Sequence, residues 1–356
     1  MWSGSAQVSF EERIGSRCTK SSRSGRKQIS ITWLEFLRSF LTVGYKYSTK
    51  HYFKHYLWVP YYYRNMRINC FKILKYRLRQ AHAIGEFLSV NGGNLTIDSS
   101  IYGLDQSERV TIAYILGMVF AKFISEVEYD VIYLQNLDDV IKNGIVSLLD
   151  RNQTMITTKK QRPDFIGQDL NGDWVVFEAK GSLSGKNWLN MLQKAKKQVM
   201  EVSCINLNGK NFKPKLSLGS ISIFNPICNV KTCDPTPERD LIIRINYSEF
   251  LFWYYKFIVE VLREEGVTKE IYGFPFRVAK VILPSIGLNE RCYEEYLIGI
   301  FDPLFERLLE LEEKDFKENG EKIFTILKRF CREIKETKGD RTNISIGLDG
   351  IMIGWV

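Results

Sequence analysis

Arg162-Pro163-Asp164-Phe165-Ile166-Gly167-Gln168-Asp169-Leu170-Asn171-Gly172-Asp173-Trp174-Val175-Val176-Phe177-Glu178-Ala179-Lys180-Gly181 is the stretch on which the fold turns. Its second half gathers aromatic and β-branched residues, and Asn171-Gly172 is a favoured two-residue hairpin signal. Two antiparallel strands are expected, Asp164 to Gln168 and Asp173 to Lys180. Side chains alternate along a strand, so Glu178 and Lys180 share one side with Ala179 opposite, and Asp164 on the partner strand comes beside Glu178. Hard divalent cations are held by one or two carboxylates together with phosphate oxygens and water. Such a cation neutralises phosphate charge and acidifies bound water, which a nearby lysine can orient or deprotonate. Phosphodiester hydrolysis needs these parts.

Glu-x-Lys spacing by itself carries little, since Glu312-Glu313-Lys314 and Glu333-Ile334-Lys335 repeat it in charged, helix-like sequence. Glu178-Ala179-Lys180 differs in ending an apolar strand and in following Pro163-Asp164 at hairpin distance. An ordinary hairpin with a surface Glu/Lys pair is the plain alternative. With that context, the stretch resembles the PD-(D/E)xK nuclease superfamily, over roughly residues 106 to 226. The resemblance implies an α/β, restriction-endonuclease-like fold with an α-β-β-β-α-β core and a mixed sheet. It also implies metal bound by Asp164, Glu178 and the Ala179 carbonyl, and Lys180 as the catalytic lysine. The metal would be Mg²⁺, with Mn²⁺ an alternative. Gln198 stands where related nucleases often carry a helix glutamine, but Val202 occupies the tyrosine position of the exonuclease branch. An endonuclease is therefore expected over an end-processing enzyme. A helix before the first strand often adds an acidic residue in such folds; Glu108 and Glu126 are candidates, with a solvated surface role the plainer reading of each.

The chain has 356 residues, 45% of them hydrophobic, enough for a sizeable core, and carries a net charge of +9. That charge is uneven: residues 1 to 80 hold 16 Lys and Arg against Glu11, Glu12 and Glu35, and the remainder holds 34 basic against 38 acidic residues. The basic end suits a polyanion, and the resemblance implies DNA in preference to RNA. From Tyr45 to Arg64 aromatic and basic residues interleave, a mixture that attracts phosphates and stacks on bases, although burial of the aromatics explains it as well. Phe71, Leu74 and Leu78 continue at near-helical spacing, with Lys72, Lys75 and Arg79 on a solvated face. Residues 1 to 30 read as a basic flexible tail, with a transit peptide the minor rival. Seven cysteines without a Cys-x-x-Cys pair and only three histidines argue against structural zinc. The odd cysteine count and the lack of a secretory signal suggest a cytoplasmic protein. No continuous apolar run approaches the roughly 20 residues needed to cross a bilayer, so no membrane association is expected.

Along the chain, Ser107 is expected to cap a helix from Glu108 to about Ser125, with Val110, Ala113, Tyr114, Gly117, Phe120, Ala121 and Ile124 as its packed stripe. A strand near Tyr129 to Leu134, a helix from Asp138 to Leu149 and a strand from Thr154 to Thr158 follow. Beyond the hairpin come a helix from Trp188 to Val202, which exposes Lys194, Lys197, Gln198 and Glu201, and a strand from Leu216 to Phe224. A loop from Pro226 to Pro237 closes the core. The expected divisions are 1–30, a basic aromatic region 31–105, the nuclease-like core 106–235, and a mostly helical subdomain 236–356 with a terminal hairpin at Asp349-Gly350. A metal-dependent DNA endonuclease, possible as a homo-oligomer and suited to defence against foreign DNA, is the functional expectation. The rival is a catalytically inactive nucleic-acid-binding or assembly protein on the same scaffold.

Overall fold

Val175, Val176 and Phe177 are apolar on both faces, the pattern of a central strand covered from both sides. In the computed structural model they lie in β8 (Trp174–Ser182), buried from Trp174 through Ala179. The structure describes residues 4–14, 26–43, 60–156, 161–225, 227–284, 293–313, 320–336 and 343–356. The chain divides into two compact units, Met1–Lys46 with His82–Asn246 and Tyr47–Ala81 with Tyr247–Val356.

In the first unit β8 sits within a nine-stranded mixed sheet. It pairs antiparallel with β7 (Phe165–Asp169) and parallel with β11 (Leu216–Ile223), and β7 pairs antiparallel with β5 (Val131–Asn136) at one edge. On the other side β11 pairs antiparallel with β12 (Asn229–Asp234), which runs parallel to β1 (Ser5–Ile14). β1 also takes β2 (Arg26–Thr32) and touches the hairpin of β3 (Leu88–Asn91) and β4 (Asn94–Ile97). Helix α1 (Trp33–Thr42) follows β2, closed by a Thr32/Glu35 capping box; the next helix, α2 (Pro60–Gly85), belongs to the second unit up to Ala81. Helix α3 (Gln106–Tyr129) precedes β5, and α5 (Trp188–Val199) joins β8 to β11. The middle of the unit thus runs helix, three strands, helix, strand. Helix α4 (Leu137–Lys142) and β6 (Val146–Leu149) are inserted after β5, and β9 (Val202–Leu207) and β10 (Lys210–Phe212) after α5. The inserted strands and β13 (Leu241–Ile245) form a separate four-stranded sheet.

Two helices cover β8, one on each face. Leu116, Val119, Phe120, Phe123 and Ile124 of α3 are all at most 1% exposed, each worth about 1.5–3 kcal/mol of transfer free energy before entropy is subtracted. The close contact is made by backbone: a Cβ on Gly181 would lie 1.8 Å from the Ala113 carbonyl oxygen, and one on Gly117 would lie 2.7 Å from the Lys180 carbonyl carbon. Since Gly181 faces α3, alternation turns Glu178 and Lys180 toward the opposite face. There α5 lies on β11 through Leu192, Ile221 and Ile223. Gly181→Ala is expected to cost about 2–4 kcal/mol in urea-induced unfolding, because backbone and not a flexible side chain must yield.

Several expectations are corrected. Residues 1 to 30 are not wholly a tail: β1 and β2 belong to the large sheet, burying Ala6, Val8, Phe10 and Ile29. Alternating apolar residues survive within the basic composition and suffice for a half-buried strand. The helix expected from Asp138 to Leu149 stops at Lys142, followed by Gly144 and β6. Thr154 to Thr158 forms no named strand in its described part, only an isolated bridge at Met155. The loop expected from Pro226 to Pro237 contains β12. The N-cap of α3 is Asp105, not Ser107, and Val110 and Tyr114 are exposed, at 62% and 42%. The apolar content of α3 also makes it long and apolar enough to cross a membrane, contrary to the expectation, but that window is 67% buried within the fold and serves as a core helix. The aromatic and basic residues from Tyr45 to Trp58, and the side chains of Tyr61 to Arg64, lie outside the described residues.

The second unit combines helices with a sheet. It contains a five-stranded antiparallel sheet of β14 (Val267–Ile271), β15 (Phe274–Pro284), β16 (Tyr293–Phe301), β18 (Ile351–Trp355) and β17 (Ile344–Ile346). Helices α6 (Tyr247–Leu262), α7 (Asp302–Glu313) and α8 (Gly320–Glu336) accompany it. Within the region expected to be mostly helical, Tyr296, Ile298 and Ile300 are buried in period two and make β16. Phe301 stacks on Phe330 with ring centroids 4.5 Å apart. The buried Asp349 accepts from the Tyr254 hydroxyl at 2.7 Å and the Ile351 N–H at 3.1 Å, so the turn before β18 is held by a carboxylate.

Candidate active site

The ladder between β7 and β8 ends at the Phe165–Phe177 pair, and beyond it the strands part. Side chains take over. The Asp164 N–H donates to Glu178 Oε2 at 2.8 Å, and the Ala179 N–H donates to Asp164 Oδ2 at 3.1 Å. Each carboxylate therefore caps the other strand's backbone. The Asp164 carbonyl turns away to accept from the Leu137 N–H at 2.8 Å, at the start of α4. A strand residue sends its N–H and C=O to the same edge, which places the Ala179 carbonyl where β7 departs. Lys180, 26% exposed at its side chain, forms an ion pair with Glu178, which is fully buried. The hairpin thus brings Asp164, Glu178, Ala179 and Lys180 together. Its turn is wider than the expected two residues, running from Leu170 to Asp173, with Asp169 accepting from the N–H groups of Asn171 and Asp173.

Charge in this corner is under tension. Burial, and then the Asp164 charge, push the Glu178 carboxyl up to about 8 against the opposing pull of Lys180. Burial likewise raises Asp164, with Lys180 and the Ala179 N–H acting the other way. A fully buried Glu178 beside a half-buried Asp164, both carboxyls raised first by burial, forms an oxygen donor set matched to a hard divalent cation, which would reverse both shifts.

Neighbours hold the corner in place. Arg162 pairs with Asp138 at 2.6 Å, and Gln198 Nε2 donates to the Arg162 carbonyl at 3.0 Å. Gln198 thus fixes the backbone two residues ahead of Asp164. Gln198→Ala is expected to lower stability by about 1 kcal/mol in urea-induced unfolding.

Neither candidate acid from α3 joins the site. Glu108 closes a capping box with Asp105, and Glu126 is buried against Arg38 at 2.8 Å and Lys122 at 3.3 Å. A surface role for Glu126 is thereby corrected: its apolar surroundings demand the two cations. Glu201, expected on a solvated helix face, is 1% exposed and lies 2.9 Å from Arg239. Among the described residues no cluster of three or more His, Cys, Asp or Glu side chains suited to a metal occurs.

Comparison with known protein families, with curated proteins and with solved structures finds no match.

Tyr114 departs from its expected place in the packed stripe. Its place beside Ala113 and Gly117 suggested core, yet the helix contact to Lys180–Gly181 leaves the phenol at the rim. There the residue is 42% exposed; the partial burial that remains, then the charges of Asp164, Asp138 and Glu178, push it up to about 12. No spacing rule separates it from its buried neighbours, since the boundary between sheet cover and sheet rim is set by where β8 ends.

Proposed function

We propose that this chain is a divalent-metal-dependent phosphodiesterase, a DNA endonuclease of the restriction-endonuclease-like kind. The observation that carries the reading is the mutual capping of Asp164 and Glu178 with Lys180 on the same face. The order helix, three strands, helix, strand around that corner supports it further.

Asp164, Glu178 and the Ala179 carbonyl would hold Mg²⁺ or Mn²⁺, which when bound offsets phosphate charge and acidifies water. Lys180 shares the face of Glu178 and can orient the attacking water or carry its proton. Gln198 and Arg162 keep Asp164 in register with Glu178. The uneven charge, 16 basic residues before position 80, favours a polyanionic substrate.

The test is incubation of purified protein with supercoiled plasmid, linear duplex, single-stranded DNA and RNA, with Mg²⁺, Mn²⁺ or EDTA. Metal-dependent cutting of supercoiled plasmid is expected. Absence of cleavage across all substrates and metals would reject the reading in favour of a non-catalytic binding protein.

A further inference from the structure

A polar cavity lies beside the segment that leads into Asp164. Gln193, Lys196, Lys197 and Met200 fall at i, i+3, i+4 and i+7 along α5 and its C-terminal cap, one stripe turned away from the buried Leu192, Ala195 and Val199. With Gln161, Glu238 and Arg239 they line an open cavity of about 390 Å³. Its far wall is fixed: the Met200 carbonyl accepts from the N–H groups of Glu238 and Arg239 at 3.1 and 3.2 Å. The buried Glu201 anchors Arg239 at 2.9 Å while 63% of the arginine side chain stays exposed. The cations Lys196, Lys197 and Arg239 outnumber the acids Glu238 and Glu201, and the amides of Gln161 and Gln193 add neutral donors.

Lysine and arginine with amide donors suit a phosphodiester, a delocalised monoanion that takes several hydrogen bonds. Placement gives the ligand its identity. Gln161 is three residues ahead of Asp164, within about 11 Å of extended chain, or about three nucleotides at 3.4 Å per step. The Gln198 bond to the Arg162 carbonyl ties α5 to that same segment. We propose that this cavity binds a backbone phosphate of the nucleic-acid strand, within a few nucleotides of the phosphate that Asp164 and Glu178 address. The proposal rests on the phosphodiesterase reading for its choice of ligand, and it makes α5 the element that sets substrate register.

The experiment measures affinity of the full chain for a fluorescein-labelled 20-base-pair duplex in EDTA, across a series of salt concentrations. Lys196→Glu/Lys197→Glu is expected to weaken binding about 10-fold or more, and to lower the slope of log affinity against log salt by about 2. Lys210→Glu, on the exposed β10, should leave both nearly unchanged. Lys196→Gln/Lys197→Gln guards against a folding defect and should give a smaller loss with a similar change in slope. Unchanged affinity and slope in both double variants would overturn the cavity's role even where the wild type cuts plasmid. So would failure of the wild type to bind duplex, or calorimetric uptake of inorganic phosphate that Lys196→Gln/Lys197→Gln abolishes while duplex binding persists. Weakened duplex binding in these variants, with no cleavage by the wild type, would instead uphold the cavity and sink the phosphodiesterase reading.

Discussion

Asp164→Ala and Lys180→Ala are each expected to lower Mg²⁺-dependent cleavage of plasmid DNA by about 10³-fold or more, ~4 kcal/mol at the transition state. Asp164 carries two duties. Its side chain caps the Ala179 N–H, and its carboxylate shares the buried corner with Glu178. Truncation leaves one carboxylate for the cation and exposes an N–H donor where the oxygen ligand stood. Lys180 has a different duty: it is the cation on the face of Glu178, and alanine there removes the group that would orient or deprotonate water. The two variants should separate by calorimetry with Mg²⁺. Asp164→Ala should lose metal binding, and Lys180→Ala should keep it. Cleavage that survives either change would reject the site assignment, and equal Mg²⁺ binding by wild type and Glu178→Ala would favour a scaffold without catalysis.

The metal-free protein should become more stable when its buried acid is neutralised. Glu178 is raised from 4.5 to about 8, so the folded state holds the proton more tightly than the unfolded chain. The resulting stabilisation is full below the unfolded value of 4.5 and is lost as pH rises through about 8. At pH 7 the deprotonation that unfolding permits favours the unfolded chain by ~3 kcal/mol relative to acid pH. Glu178→Gln removes that dependence and keeps an oxygen to accept from the Asp164 N–H, although Lys180 loses its partner. Melting in EDTA should show the variant more stable than wild type by roughly 2–3 kcal/mol at pH 7, with the gap closing toward pH 4.5. Saturating Mg²⁺ should stabilise the wild type and not the variant. A variant less stable than wild type at every pH would show that the ion pair with Lys180 outweighs the strain between the carboxylates.

Much of this corner is written locally. Pro163-Asp164 and Glu178-Ala179-Lys180 lie on adjacent strands separated by a short turn, so period-two alternation brings Glu178 and Lys180 to one face and Asp164 within reach. The strands β7, β8 and β11 and helices α3 and α5 are legible for the same reason, since each buries a face whose apolar residues recur at the element's own period. What was misread depends on partners distant in sequence. β1 was hidden because its apolar residues sit in a basic, serine-rich stretch, and only pairing with β12 and β2 distinguishes a strand from a tail. β16 was hidden because Glu294 and Glu295 open it, and charge content outweighed the alternation of Tyr296, Ile298 and Ile300.

The sequence by itself determined the hairpin, the face shared by Glu178 and Lys180, and the chain order of the central elements, because each follows from contacts within a few residues. Only the tertiary structure decided that β7 parts from β8 at Asp164, so that carboxylates replace the ladder, and that Gln198 holds Arg162 while Glu126 is absorbed by Arg38 and Lys122. It also decided that Tyr114 is at the rim and that Lys196, Lys197 and Arg239 meet around one cavity. The physical reason is that burial and charge pairing are properties of packed surfaces, and which surfaces meet is fixed by the sheet as a whole and not by any single segment of it.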